Sequence, residues 1–174
     1  MRTDAHSGAT LAYPVAVSTE TTHHVPDSSR INPPARQVLQ AVVTDQPIDL
    51  EAQAALVSGA SSGAVVTFAG VVRNHDGGRE VLGLEYVGHP TAQAVLERVV
   101  AEVVASGDAE AVAVAHRIGT LQIGDTALAV AVAGAHRQEA FATAMRLVDE
   151  VKAQLPVWKR QVLADGTDEW VACP

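Results

Sequence analysis

The stretch Val148-Asp149-Glu150-Val151-Lys152-Ala153-Gln154-Leu155-Pro156-Val157-Trp158-Lys159-Arg160 decides the fold, because it carries a helix into a strand across a proline. From residue 136 onward Phe141, Ala144, Met145, Val148, Val151 and Leu155 recur at helical spacing. Pro156 lacks an N–H and disfavours helix in the residue before it, so the helix ends there. Residues 157–163 then read as a strand. At about 100° per residue, Lys152 falls inside the apolar stripe, between Val148 and Leu155. Glu139, Arg146 and Glu150 fall on the opposite, solvated side. A lysine in that position either snorkels out at the helix end or lines a pocket. In a pocket, partial desolvation would suit its amine to acid/base or nucleophilic work. The chain has only two lysines, Lys152 and Lys159, among twelve basic residues. The second, between Trp158 and Arg160, favours the pocket.

Working outward, residues 38–43 read as a strand and residues 47–58 as a helix with Asp49 as its N-cap. Residues 64–72 form a near-continuous apolar run, as expected of a strand covered on both faces. It empties into the polar, glycine-containing loop 73–79. Residues 81–87 are a strand with Glu85 alternating out of its apolar side. A helix follows to about residue 106, with Val95, Leu96, Val99, Val100 and Val103 on its buried side. Residues 110–118 and 125–133 are two more strands, joined by a segment whose length suits a hairpin or short crossover. After the helix and strand already described come a turn at Asp165-Gly166 and a short strand near Trp170. Three helices among strands that arrive in pairs indicate an α+β fold with a mixed or antiparallel sheet. Residues 1–36, rich in Ser, Thr, His and Pro, read as a flexible tail, and 37–174 as one domain.

A net charge of −8 argues against nucleic acid or an anionic membrane as the main partner. No run approaches the ~18 apolar residues a membrane helix needs. The single cysteine, Cys173, gives no disulfide framework, and the chain reads as cytoplasmic. His23-His24 lacks companion ligands at metal-binding spacing, and no metal or cofactor motif stands elsewhere. Against this acidic background, cations gather at element ends: Arg73 after a strand, His136-Arg137 at a helix start, Lys152 at that helix's end, and Lys159-Arg160 in the next strand. A helix N-terminus already favours an anion, and His136 with Arg137 would strengthen it, for instance towards a phosphate. The bland alternative is that Arg73 and Arg137 pair with some of the twenty acids.

These pieces together resemble the large, catalytic subunit of molybdopterin synthase. The matching segments are Phe68-Ala-Gly-Val-Val-Arg-Asn-His75, Leu84-Glu-Tyr86, His116-Arg-Ile-Gly119 with Gly124-Asp125, Ala135-His-Arg137, and Lys152 through Lys159 with Pro156 and Trp158 between. They are collinear and span about residues 38–171. The resemblance implies an α/β hammerhead fold and a central homodimer within a heterotetramer. A small ubiquitin-like sulfur carrier sits at each end, its C-terminal Gly-Gly thiocarboxylate threaded into a pocket. It implies a sulfurtransferase that converts cyclic pyranopterin monophosphate to molybdopterin, with no cofactor of its own. By position, Lys152 and Lys159 match the catalytic pocket lysines, and Arg73, His136 and Arg137, with both lysines, match the substrate-anion site. Two departures stand out. The chain ends Ala172-Cys173-Pro174 where such proteins often carry a further basic residue, and Gly134 stands where a serine often caps the helix. The rival readings are a docking module for a ubiquitin-like carrier without chemistry, and a phosphate-ester enzyme using Lys152 as a Schiff-base nucleophile.

Overall fold

Two strands in the middle of the chain alternate alanine with a larger apolar residue, and this alternation sets the layers. They are Ala111-Val-Ala-Val-Ala115 and Ala127-Leu-Ala-Val-Ala-Val-Ala133. Side chains on a strand point alternately to its two faces, so alanines line one face and valines the other. The computed structural model describes residues 34–172. In it these segments are β5 (Ala111–Arg117) and β7 (Thr126–Gly134), antiparallel, with Ala113 opposite Ala131 and Val114 opposite Val130. They form the centre of a four-stranded sheet with β1 (Gln37–Thr44) parallel to β5 and β2 (Ala64–Val71) antiparallel to β7, in the order β1-β5-β7-β2.

The valine face carries two helices, α2 (Ala92–Ala105) and α3 (Arg137–Gln154). There Leu96, Val99, Val100, Leu147 and Val151 pack on Val112, Val114, Val130 and Val132, all essentially removed from water. The alanine face admits a short helix at close range: α1 (Leu50–Val57) lays Val57 against Ala111, Ala113, Ala131 and Ala133. Asp49 caps α1 as expected, its carboxylate accepting from the N–H groups of Glu51 and Ala52.

The second sheet is antiparallel, with the order β3-β4-β8-β9 and β6 on the other edge of β4. Its strands are β3 (His75–Asp76), β4 (Arg79–Gly88), β6 (Gly119–Leu121), β8 (Val157–Leu163) and β9 (Asp168–Ala172). The α+β class with three helices and mixed and antiparallel sheets is what the sequence predicts.

Four expectations need correction. The loop 73–79 is a tight hairpin: Gly77 and Gly78, at φ of 54° and 79°, make a two-residue turn of the kind that needs left-handed backbone, pairing β3 with the start of β4. The connection 119–124 contributes the three-residue β6. Strand β2 is an edge strand, and Val65, Phe68 and Val71 are exposed rather than covered on both faces. On α3 the buried face is Ala140, Thr143, Ala144, Leu147 and Val151, while Phe141 and Met145 are 62% and 67% exposed. Small residues win that face because the helix lies close on the sheet.

Gly134 is the last residue of β7, and the N-cap of α3 is His136, whose N–H donates to the Glu139 carboxylate at 3.2 Å. Residues 1–33 and 173–174 lie outside the described residues, and with them His23-His24, Cys173 and nearly all of the expected tail. Ala35 and Arg36, placed by sequence in that tail, bond to the body. The Ala35 N–H donates to the Glu110 carboxylate and Arg36 Nε to the Gly107 carbonyl.

Gly63 ties the start of β2 to the end of β7, donating to the Gly134 carbonyl at 3.0 Å. A Cβ there would stand 2.2 Å from the Ala135 carbonyl oxygen. Gly63→Ala is therefore expected to destabilise the fold by about 1–3 kcal/mol. A denaturation midpoint equal to wild type would mean that this loop can move aside.

Candidate active site

A cleft of about 290 Å³ opens where the two sheets meet below the end of α3. The end of β2 brings Phe68, Val71 and Arg73, the β3–β4 hairpin brings Asp76, β4 brings Tyr86, β5 brings His116, α3 brings Lys152, and β8 brings Lys159 and Gln161. Strand alternation in β8 selects the last two. Val157, Gln161 and Leu163 are buried with Lys159 on the same side, and Trp158 and Val162 are exposed on the other. Lys159 stands opposite Tyr86 of β4, and Arg160 opposite Glu85.

Asp76 organises the cations. It accepts from Arg73 Nη2 at 2.9 Å and from Lys159 Nζ at 3.2 Å, one carboxylate oxygen for each. The Lys159 ammonium and then the Arg73 guanidinium hold its pKa at about 2, against 3.8 ordinarily. Behind it the buried Gln161 donates to Glu169, which also pairs with Arg79. The sequence reading missed Asp76, and the signal available for it was the Asp-Gly-Gly turn that puts it at a hairpin corner.

Lys152 differs from Lys159. It is exposed at the end of α3, reaches the cleft wall, and has no ion pair or side-chain hydrogen bond among the described residues. Of the expected alternatives it takes both: it snorkels out of the helix and it lines the pocket. Beside it His116 is 5% exposed, edge-on to the Tyr86 ring at 5.2 Å, with no hydrogen-bond partner for Nδ1 among the described residues. Burial pushes its pKa down to about 4, opposed weakly by the Arg117 backbone, so the imidazole is neutral near pH 7.

The family model described as "MoaE protein" matches residues 43–154. The chain belongs to the MoaE family. Its relatives include the molybdopterin synthase catalytic subunit of Nostoc sp., 37% identical over 132 residues covering 75% of this chain and 80% of that protein. Molybdopterin synthase catalytic subunit 1 of Mycobacterium tuberculosis is 37% identical over 130 residues, covering 74% and 88%. Among solved structures, molybdopterin synthase from Staphylococcus aureus superposes with a TM-score of 0.68 at 30% identity, covering 74% of this chain and 94% of that one. This MoaE-family chain is thus a molybdopterin synthase catalytic subunit, an enzyme of molybdenum cofactor biosynthesis.

The MoaE match contains Arg73, Asp76, His116 and Lys152 and stops short of Lys159. Three of the five residues singled out from sequence, Arg73, Lys152 and Lys159, meet in one cleft. The other two do not join them within the chain. Arg137 begins α3 and Lys152 stands in its last turn, roughly 22 Å away at about 1.5 Å per residue. Arg73 makes the ion pair that the bland reading expects, whereas Arg137 has no partner among the described residues. Arg137 and Lys152 are the only two lysines or arginines of which this holds there.

Among the described residues no helix is long and apolar enough to cross a membrane. Beside the cleft, and sharing Phe68 with it, runs an apolar groove of about 290 Å³ lined by Val66, Phe141, Met145 and Val148.

Proposed function

We propose that the cleft transfers sulfur from the C-terminal thiocarboxylate of a small ubiquitin-like carrier to cyclic pyranopterin monophosphate, making the dithiolene of molybdopterin. The observation that carries this is a lysine with no partner among the described residues lining one cleft with a second lysine and an arginine, in a protein with net charge −8. Both reactants are anions, and aligned cations in a sheltered cleft favour bringing them together. Each sulfur forms a bond to a substrate carbon as its bond to the carrier's acyl carbon breaks. The carrier leaves as a carboxylate, taking the oxygen displaced from that substrate carbon, and one water opens the cyclic phosphate to a monoester.

Lys152, with no partner among the described residues, anchors and polarises the thiocarboxylate. Lys159 acts as the general acid/base during phosphate opening and oxygen loss. Arg73 holds the substrate anion. His136 and Arg137 serve the same site only from a second copy of the chain, so the catalytic unit is a homodimer, with a carrier at each end making the heterotetramer. The exposed Phe68, Phe141 and Met145 give a protein partner an apolar surface to cover. The reaction belongs in the cytoplasm, and needs no nucleic acid, membrane or cofactor.

The test supplies thiocarboxylated carrier and cyclic pyranopterin monophosphate and follows molybdopterin. Two carrier thiocarboxylates consumed per product are expected. A folded chain that binds the carrier and yields no product would leave a docking module as the better reading.

A further inference from the structure

Asp76 sits where an external anion would be expected. Its two carboxylate oxygens are spent on the two cations of the cleft floor, Lys159 at 3.2 Å and Arg73 at 2.9 Å. Arg73 is 67% exposed, and an exposed pair of that kind contributes little to stability. The Arg73 half of the contact therefore adds little to the fold, and the more sheltered half is the one with Lys159, at 19% and 28% exposure. The backbone beneath Asp76 is fixed: β3 pairs His75 with Glu80 and Asp76 with Arg79, and the Val81 N–H donates to the Asn74 carbonyl at 2.9 Å. Only the side chain can swing, and it stands at the corner of the Gly77-Gly78 turn, beside which a Cβ would meet nothing within 4 Å.

We propose that Asp76 is a built-in substitute for the phosphate group, occupying Lys159 and Arg73 in the empty cleft and yielding them to a phosphate monoester. This rests on the reading of the cleft as an anion site. In that arrangement Asp76 is a positioning residue. It keeps two flexible cations aimed at one point before substrate arrives, and it sets a threshold that only an anion better matched than one carboxylate can pass. Opening of the ring turns the substrate's singly charged cyclic phosphate into a doubly charged monoester, which meets that condition where a lone carboxylate does not, so the cleft floor takes hold of the phosphate as the ring opens.

The experiment is calorimetric titration of inorganic phosphate into the full chain, comparing wild type with Asp76→Asn, Asp76→Glu and Asp108→Asn. Asp108 stands just before the start of β5, at the opposite end from His116, so its variant controls for a change of net charge. Removing the like charge should tighten phosphate roughly tenfold in Asp76→Asn. Asp76→Glu and Asp108→Asn should bind as wild type does, and adding Lys159→Ala to Asp76→Asn should abolish the gain. An Asp76→Asn chain that is folded, by its unchanged circular dichroism spectrum, yet binds phosphate no more tightly than wild type overturns the proposal. So does weaker binding, which would mean that Asp76 does not compete with phosphate for the two cations. The titration needs neither carrier nor sulfur transfer. Tightening without any product in the synthase assay would therefore remove the proposed function and leave this inference intact.

Discussion

Lys152→Ala is expected to slow molybdopterin formation by about 10²–10³-fold, the range lost when one group aimed at developing charge is removed. Thermal stability should stay where it is, because Lys152 is exposed and gives up no ion pair or hydrogen bond among the described residues. That combination separates it from Lys159, whose replacement also removes one of the two ion pairs of Asp76. Carrier binding should survive, since the apolar groove beside the cleft is untouched. Undiminished turnover in the variant would end the role given to this lysine. Arg137→Ala should behave alike for the same reason, and the two variants together test the shared site. In a mixed dimer one cleft lacks both residues and the other keeps both. Mixing the two inactive variants in equal amounts should therefore restore about a quarter of wild-type activity. No recovery after subunit exchange would mean that Arg137 does not serve the partner's cleft.

His116 should make the fold sensitive to mild acid. Its folded pKa is about 4 against 6.5 for the unfolded chain, so between those values the unfolded state holds a proton that the folded state does not. Stability is then complete above about pH 6.5 and falls as pH drops toward 4, by up to about 3 kcal/mol. His116→Leu should flatten that part of the profile, read as the denaturation midpoint at pH 7.5 and pH 5. Equal slopes for wild type and variant would show that the imidazole is not held neutral by burial. Asp76 acts lower down. Its folded pKa is depressed, so its contribution is present above 3.8 and disappears between there and about 2. The two ranges do not overlap, and the variants can be told apart.

Much of the architecture was legible because it rests on local rules. Pro156 ends α3, Asp49 caps α1, and strands arriving in pairs exclude a doubly wound fold. The misreadings share one cause, which is that periodicity says which residues could be buried and not how closely elements approach. On α3 the large Phe141 and Met145 looked like core, yet Ala140 and Ala144 take the sheet side because only small residues fit a close helix–sheet contact. Strand β2 looked covered because it is apolar throughout, and its edge position depends on the order of the sheet, which no single segment encodes. Strands β3 and β6 are two and three residues long, too short to carry a period. In the site, Arg73, Lys152 and Lys159 were found because charge on an apolar element end stands out. Asp76 was not, since an aspartate before two glycines reads as a turn. The distance from Arg137 to Lys152 was available from helix length alone and marks what one chain cannot assemble.

The corner at Leu155-Pro156 constrains more than direction. Lys152 is carried by a helix and Lys159 by a strand, and β8 turns successive side chains to opposite sides. An insertion or deletion of one residue after Pro156 would swap Lys159 for Trp158 or Arg160 at the cleft. A change of two would restore the facing but displace the amine by about 7 Å along the strand, beyond its 3.2 Å contact with Asp76. Substitutions in this segment are open to drift so long as they fit, while insertions and deletions are not. Here the count of residues works as a ruler, and the chemistry is read off its marks.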